Sequence, residues 1–205
     1  MSRWTKAAVF LAGPIPLAVL IWRRYHHQLG ANWIEAAQHF TGDWILWFLI
    51  ATLLVTPVRR APGLGALIRY RRMLGLYAFF YACVHFAIYL WYDKGLDWLE
   101  IKSDFLTRRF YIMGLIALTL LIPLAITSTK GWVRRLGRRW QYLHWLIYPA
   151  ALSGALHYFW QGKGIVPRAV DYLVVFVLLV LYRPLYAIWR ARLDRRKVSR
   201  AHVAA

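Results

Sequence analysis

Between Trp140 and Trp160 the chain runs for 21 residues without a Lys, Arg, Asp or Glu, directly after the pair Arg138-Arg139. A run of this length and polarity matches the hydrocarbon core of a bilayer, which about 20 residues of helix cross. Lipid offers no hydrogen bonds to the backbone, so such a segment must satisfy its own N–H and C=O groups, and a helix does so. Two imidazoles, His144 and His157, sit inside this run. Ionisable side chains are costly within a membrane and mark buried sites with defined partners.

Five further apolar stretches accompany it. The six lie near residues 7–22, 43–58, 73–92, 110–129, 140–160 and 169–189, which predicts an all-α fold, an integral membrane six-helix bundle forming one domain. The first two stretches are short and carry Pro14, Pro16 and Pro57. The charged start and apolar core at residues 1–22 are those of a signal peptide, but the two prolines suit a cleavage site poorly, and a retained first span is expected. The 205 residues hold 27 Lys+Arg against 8 Asp+Glu, a formal net charge of +19, and 60% of them are hydrophobic. That charge would fit a nucleic-acid-binding protein, but the long apolar runs exclude one; the basic residues belong instead in loops at a lipid surface.

Their distribution sets the orientation. With the N-terminus in the cytoplasm, 18 basic residues fall in cytoplasmic segments and 8 in the opposite loops. Cytoplasmic loops carry the Lys/Arg excess, so both termini are expected inside, with residues 190–205 a basic cytoplasmic tail lying on the surface or disordered. The loop 93–109 then lies outside with Asp93, Asp97, Glu100 and Asp104, either as a solvated loop or as a surface for an external partner. The single cysteine, Cys83, excludes a disulfide framework or a cysteine metal cluster and is expected as a buried apolar residue.

Three histidines fall within spans: His85 on the third, His144 and His157 on the fifth. No Cys, Asp or Glu accompanies them at mid-membrane, which disfavours a zinc centre. Neutral imidazole is a good axial ligand for haem iron, and helical bundles build such sites from facing helices. His144 and His157 are 13 residues apart, roughly 20 Å along a helix and about 140° around it, so they cannot grip one iron. The third and fifth spans run the same way. From the last arginine before each, His85 lies roughly 20 Å deep, His157 roughly 27 Å and His144 roughly 8 Å. The expected iron-binding pair is therefore His85 and His157, in the outer half of the bilayer, with His144 near the cytoplasmic face.

The segments RRMLGLYAFFYACVHFAIYL and LAITSTKGWVRRLGRRWQYLHWLIYPAALSGALHYFW resemble the haem-binding membrane subunit of the periplasmic protein-methionine-sulfoxide reductase system, the MsrQ (YedZ) family of the ferric-reductase-like transmembrane superfamily. The resemblance covers about residues 40–190. It implies six spans in the bacterial inner membrane, haem b and flavin mononucleotide (FMN), with electrons drawn from the quinone pool and passed to a periplasmic molybdopterin enzyme that reduces methionine sulfoxide. Two-haem members of the superfamily carry a second histidine on the third span where this chain has Arg71. Arg71 and Arg72 then pair with a haem propionate, an anionic quinone, a flavin phosphate or lipid headgroups. His144 is either a second-site ligand or part of a quinone or flavin site. No glycine-rich phosphate loop is present, so direct NAD(P)H oxidation by this chain is not expected. A ferric-reductase-like enzyme acting on its own substrate, and a transporter or scaffold whose histidines only pack, are the competing readings.

Overall fold

The computed structural model describes residues 3–162 and 167–203, and every regular element among them is helical. Helix α1 (Arg3–Ala12) and α2 (Ile15–Tyr25) form one interrupted apolar rod. Pro14 has no N–H, so the Phe10 carbonyl loses its helical partner. The Tyr77 hydroxyl donates to that carbonyl instead. One turn on, the Tyr81 hydroxyl accepts from the Leu17 N–H at 3.0 Å and donates to the Gly13 carbonyl at 2.9 Å, standing inside the broken ladder. A neighbouring helix thus supplies the hydrogen bonds that lipid cannot. Gly13 permits this approach, since a Cβ there would fall within the Tyr77 ring.

Helix α3 (Trp33–Val58) is capped by Asn32, whose side chain accepts from the Glu35 N–H. It starts ten residues before the expected second stretch and carries Glu35, His39 and Asp43 within the helix. His39, which precedes the expected second stretch, is therefore helical. Helix α4 (Ile68–Ile88) follows and widens into a π-helical turn over Tyr89–Asp93. Outside the bundle proper, α5 (Trp98–Thr107) is capped by the Asp97 carboxylate. Cys83 is exposed on α4 and not buried as the sequence suggests.

Helix α6 (Arg109–Ile126) leads to the short α7 (Lys130–Leu136) and α8 (Arg138–Leu143), separated by Gly137 at φ +50°. The Trp140 indole donates to the Thr127 carbonyl at 2.8 Å and pins α8 to the end of α6. A 3₁₀ turn over His144–Leu146 then joins α8 to α9 (Ile147–Gln161), so the expected fifth span is interrupted at His144. Helix α10 (Pro167–Val203) carries the sixth apolar stretch and continues through residues 190–203, expected as a surface-lying or disordered tail. Arg, Lys and Ala are good helix formers, and nothing between 185 and 203 breaks the turn.

Five helical segments are long and apolar enough to cross a membrane: Trp4–Tyr25, Trp33–Val58, Gly65–Asp93, Arg109–Ile126 and Ala169–Arg195. The expected fifth span, on α8, the 3₁₀ turn and α9, is not among these five. The core lies among α3, α4, α6, α9 and α10, with Leu46, Leu49 and Leu53 facing Ala78, Leu121, Ala151 and Phe176. Ala150, Ala151 and Ala155 are fully buried on α9, where small side chains let neighbouring backbones approach closely.

Candidate functional site

Helices α3, α4, α6 and α9 surround a cavity of about 400 Å³. His85 from α4 and His157 from α9 both line it. Their rings are perpendicular, with centroids 6.0 Å apart. Two imidazoles bound to opposite faces of one iron need about this spacing, since two metal–nitrogen bonds of about 2 Å add to the distances from each nitrogen to its ring centre.

Hydrogen bonds fix which nitrogen each ring offers. His157 donates through Nδ1 to the Phe110 carbonyl at 2.7 Å. His85 Nδ1 lies 3.0 Å from Thr41 Oγ1 and 3.2 Å from the Gln38 carbonyl. The Thr41 hydroxyl donates to the Ala37 carbonyl at 2.8 Å, so its oxygen accepts from His85. With the proton on Nδ1, the lone pair of each ring resides on Nε2. Carbonyl partners of this kind hold a metal-binding histidine in the right tautomer and orientation.

Glycines open the space around the rings. A Cβ at Gly42 would lie 3.7 Å from His85 Cε1, and one at Gly114 only 2.9 Å from His157 Nδ1. Gln38 lines the same cavity, and its Nε2 is buried without a hydrogen-bond partner among the described residues. Four features sequence reasoning missed are thus Gln38, Thr41, Gly42 and Gly114. For the α3 residues a signal existed: Gln38, Thr41 and Gly42 recur at helical spacing, on one face. Gly114 carries no signal in the sequence, because its role is set by a contact between helices.

An ion cluster stands beside this cavity, around Lys94, which lines it. Lys94 Nζ lies 2.8 Å from Asp104 Oδ2 and also contacts Glu100 and Asp93. The side chains of Lys94 and Asp104 are 9% and 7% exposed, so the loop 93–109 is a structured cap and Asp104 is not solvated. Burial alone would raise the Asp104 carboxyl, but the Lys94 hydrogen bond and the charges of Lys94 and Arg108 hold it below the usual carboxylate range. Burial opposes charge on Lys94 as well, and its carboxylate partners outweigh that and raise it.

His144 does not join the pair. It lines a second, larger cavity of about 790 Å³ at the other end of the bundle, together with Arg71, Arg72, Lys130, Arg134 and Trp140. Its ring stacks on Trp140, with centroids 3.8 Å apart and planes at 25°, and Nδ1 lies 3.1 Å from the Trp140 carbonyl. The three residues expected near the cytoplasmic face, Arg71, Arg72 and His144, thus meet in one cavity, away from His85 and His157.

The chain is a multi-pass helical bundle that brings histidines of two helices together, and residues 41–155 match the family described as ferric reductase like transmembrane component. Among similar proteins, the protein-methionine-sulfoxide reductase heme-binding subunit MsrQ of Herminiimonas arsenicoxydans is 46% identical over 190 residues, covering 91% of this chain and 87% of the relative. The protein of the same name from Xanthomonas campestris pv. campestris (strain 8004) is 42% identical over 205 residues, covering 97% and 92%. That from Xanthomonas euvesicatoria pv. vesicatoria is 41% identical over 201 residues, covering 95% and 90%. The chain belongs to this MsrQ family, whose members are multi-pass bacterial membrane proteins.

Proposed function

We propose that the chain is the haem-binding electron-transfer subunit of a periplasmic protein-methionine-sulfoxide reductase system. It works in the bacterial inner membrane as one six-span domain with both termini in the cytoplasm. The observation that carries this reading is the pair His85 and His157, on different helices, each with Nδ1 fixed by main-chain carbonyls and with ring centroids 6.0 Å apart over a shared cavity. His85 and His157 would hold a haem b, which when bound would supply a one-electron carrier. Thr41, Gln38 and Phe110 keep the two Nε2 lone pairs presented, and Gly114 leaves room for the His157 ring. The ion cluster of Lys94 and Asp104 stands beside the cavity.

The inner cavity is the electron-donor site in this proposal. Arg71, Arg72, Lys130 and Arg134 supply positive charge to an anionic quinone or a flavin phosphate, and Trp140 and Trp145 give apolar surface to a flat ring. Quinol from the membrane pool and FMN are the donors considered. His144, whose ring is held by the main chain of Trp140, is the residue of this cavity considered for a quinol proton or for a second iron. The periplasmic partner is a molybdopterin enzyme that reduces methionine sulfoxide in oxidised proteins.

Electron delivery tests this function. Purified chain in lipid discs with a reduced quinone should show haem reduction in the absorbance spectrum, and the added periplasmic reductase with methionine sulfoxide should reoxidise it. Reduction by NADH alone, with no flavin reductase present, would contradict the assignment of the donor.

A further inference from the structure

We infer that helix α5 lies in the headgroup layer of the membrane and turns a face made of Trp98, Leu99 and Leu106 to lipid. Helical periodicity builds this face. Trp98, Leu99, Lys102 and Leu106 fall within about 100° of arc. The three apolar side chains are 70%, 82% and 73% exposed. Ile101 and Asp104 occupy the other side of the helix and are buried. Large apolar groups gathered on one face mark a surface that is covered in use. Trp and Leu on one side of a helix, with charged groups on the other, suit the boundary between headgroups and acyl chains.

The level of α5 identifies what covers it. The Phe105 ring lies against Tyr89 and Tyr111, with centroids 6.3 and 5.9 Å away. Tyr89 also donates to Asp104 Oδ2 at 3.2 Å. Tyr89 stands four residues before its membrane-crossing segment ends at Asp93, and Tyr111 two residues after the next one starts at Arg109. At about 1.5 Å per residue, both rings lie roughly 3–6 Å inside the ends of their spans. Helix α5 is therefore held at the flank of these spans. Arg108 alone joins it to α6, so its last turn stays within about 3.5 Å of that level. The side of α5 away from the two tyrosines then looks out at the height of the bilayer boundary. It continues the exposed surface of Trp91 and Tyr92 on the π-helical turn and of Ile112 on α6. Trp and Tyr concentrate at that boundary. Lys102 lays its stem along the apolar face and brings its ammonium to the lipid phosphates.

Site-directed fluorescence quenching tests the face. In a Cys83→Ala background, Leu99→Cys, Leu106→Cys and, in the loop after α3, Ala61→Cys each carry the fluorophore NBD. The full chain is placed in nanodiscs of phosphatidylethanolamine and phosphatidylglycerol, which leave both membrane faces open to water. Two positions on α5 are labelled so that a misfolded variant at one leaves the other as the test. The labels at 99 and 106 should be quenched by doxyl groups carried near the lipid headgroup. They should be several-fold less sensitive to iodide in the water than the label at 61, and their emission should be shifted to the blue of it. The pattern should be the same with and without a soluble periplasmic reductase, and with one or two copies of the chain per disc. Equal iodide sensitivity at all three positions would overturn the inference. So would protection that appears only with the reductase or only with a second copy, since either would assign the face to a protein. The readout uses no haem, so failure of the proposed haem site leaves this result standing.

Discussion

Replacing Gly114 by alanine inserts one methyl group against an imidazole of the candidate site. The added Cβ would stand 2.9 Å from His157 Nδ1, 3.1 Å from Cε1 and 3.4 Å from Cγ. Ordinary carbon contacts begin near 3.5 Å, so the imidazole must retreat by about half an ångström. It cannot do so and keep its 2.7 Å hydrogen bond to the Phe110 carbonyl. Losing that bond and overpacking the site each cost about 1 kcal/mol. Disturbing a group that orients a metal ligand typically lowers metal affinity about 10–100-fold. Gly42→Ala is the matched control, because its Cβ would meet His85 at 3.7 Å, an ordinary contact. Alanine is the better helix former by about 1 kcal/mol, so any loss in Gly114→Ala comes from the imidazole and not from the backbone. Haem-to-protein ratio and the low-spin electron paramagnetic resonance signal of the purified variants are the assay. Gly114→Ala should lose much of the haem or shift the signal, and Gly42→Ala should retain both. A normal site in Gly114→Ala, or equal damage in the two, would refute the contact.

Tyr81→Phe leaves the Gly13 carbonyl and the Leu17 N–H unpaired at the proline break; it should destabilise the bundle by about 1 kcal/mol in a detergent-unfolding titration while the haem spectrum is unchanged. The outer cap should depend on pH only at the extremes. The stabilisation from Asp104, whose carboxyl is held low, is full above about pH 4 and fades as pH falls through its folded value; that from Lys94, held high, is full below about pH 10 and fades above it. Hydrogen exchange over residues 94–108 should therefore be protected evenly from about pH 5 to 9, and loosening between pH 5 and 7 would contradict this. Reporter fusions after Gly63 and Gly131 should read cytoplasm, and those after Gly95 and Gly162 periplasm; a periplasmic signal at Gly131 would reverse the orientation.

The helices that lie wholly in lipid were legible because hydropathy is what defines them: the fourth stretch, read as 110–129, forms α6 at Arg109–Ile126. Where polar residues face a cavity, hydropathy misleads. Helix α3 starts at Trp33 because Glu35, Gln38 and His39 line the cavity mouth and need not meet lipid, so their polarity does not end the helix. The interruption at His144 does not show in hydropathy, since Trp140–Trp160 is uncharged throughout; its signal in the sequence is Pro149, which cannot donate to the Trp145 carbonyl and sits in the first turn of α9. Depth counting grouped His85 with His157 because helical rise is constant, and the structure brings those rings together while His144 stays apart. The groups that orient the rings were not legible, because the carbonyls of Gln38 and Phe110 are main-chain atoms that any residue would supply.

Absorbance and electron paramagnetic resonance of purified His85→Ala, His157→Ala and His144→Ala test the central claim most directly. Removing an axial ligand opens a position on the iron, so His85→Ala and His157→Ala should each lose the low-spin signal or the haem itself. His144→Ala should keep the low-spin signal of the outer site and impair reduction from the cytoplasmic side. Loss of that signal in His144→Ala with an unchanged His157→Ala would place the iron in the inner cavity, and a normal haem in all three would remove the histidines from its coordination altogether.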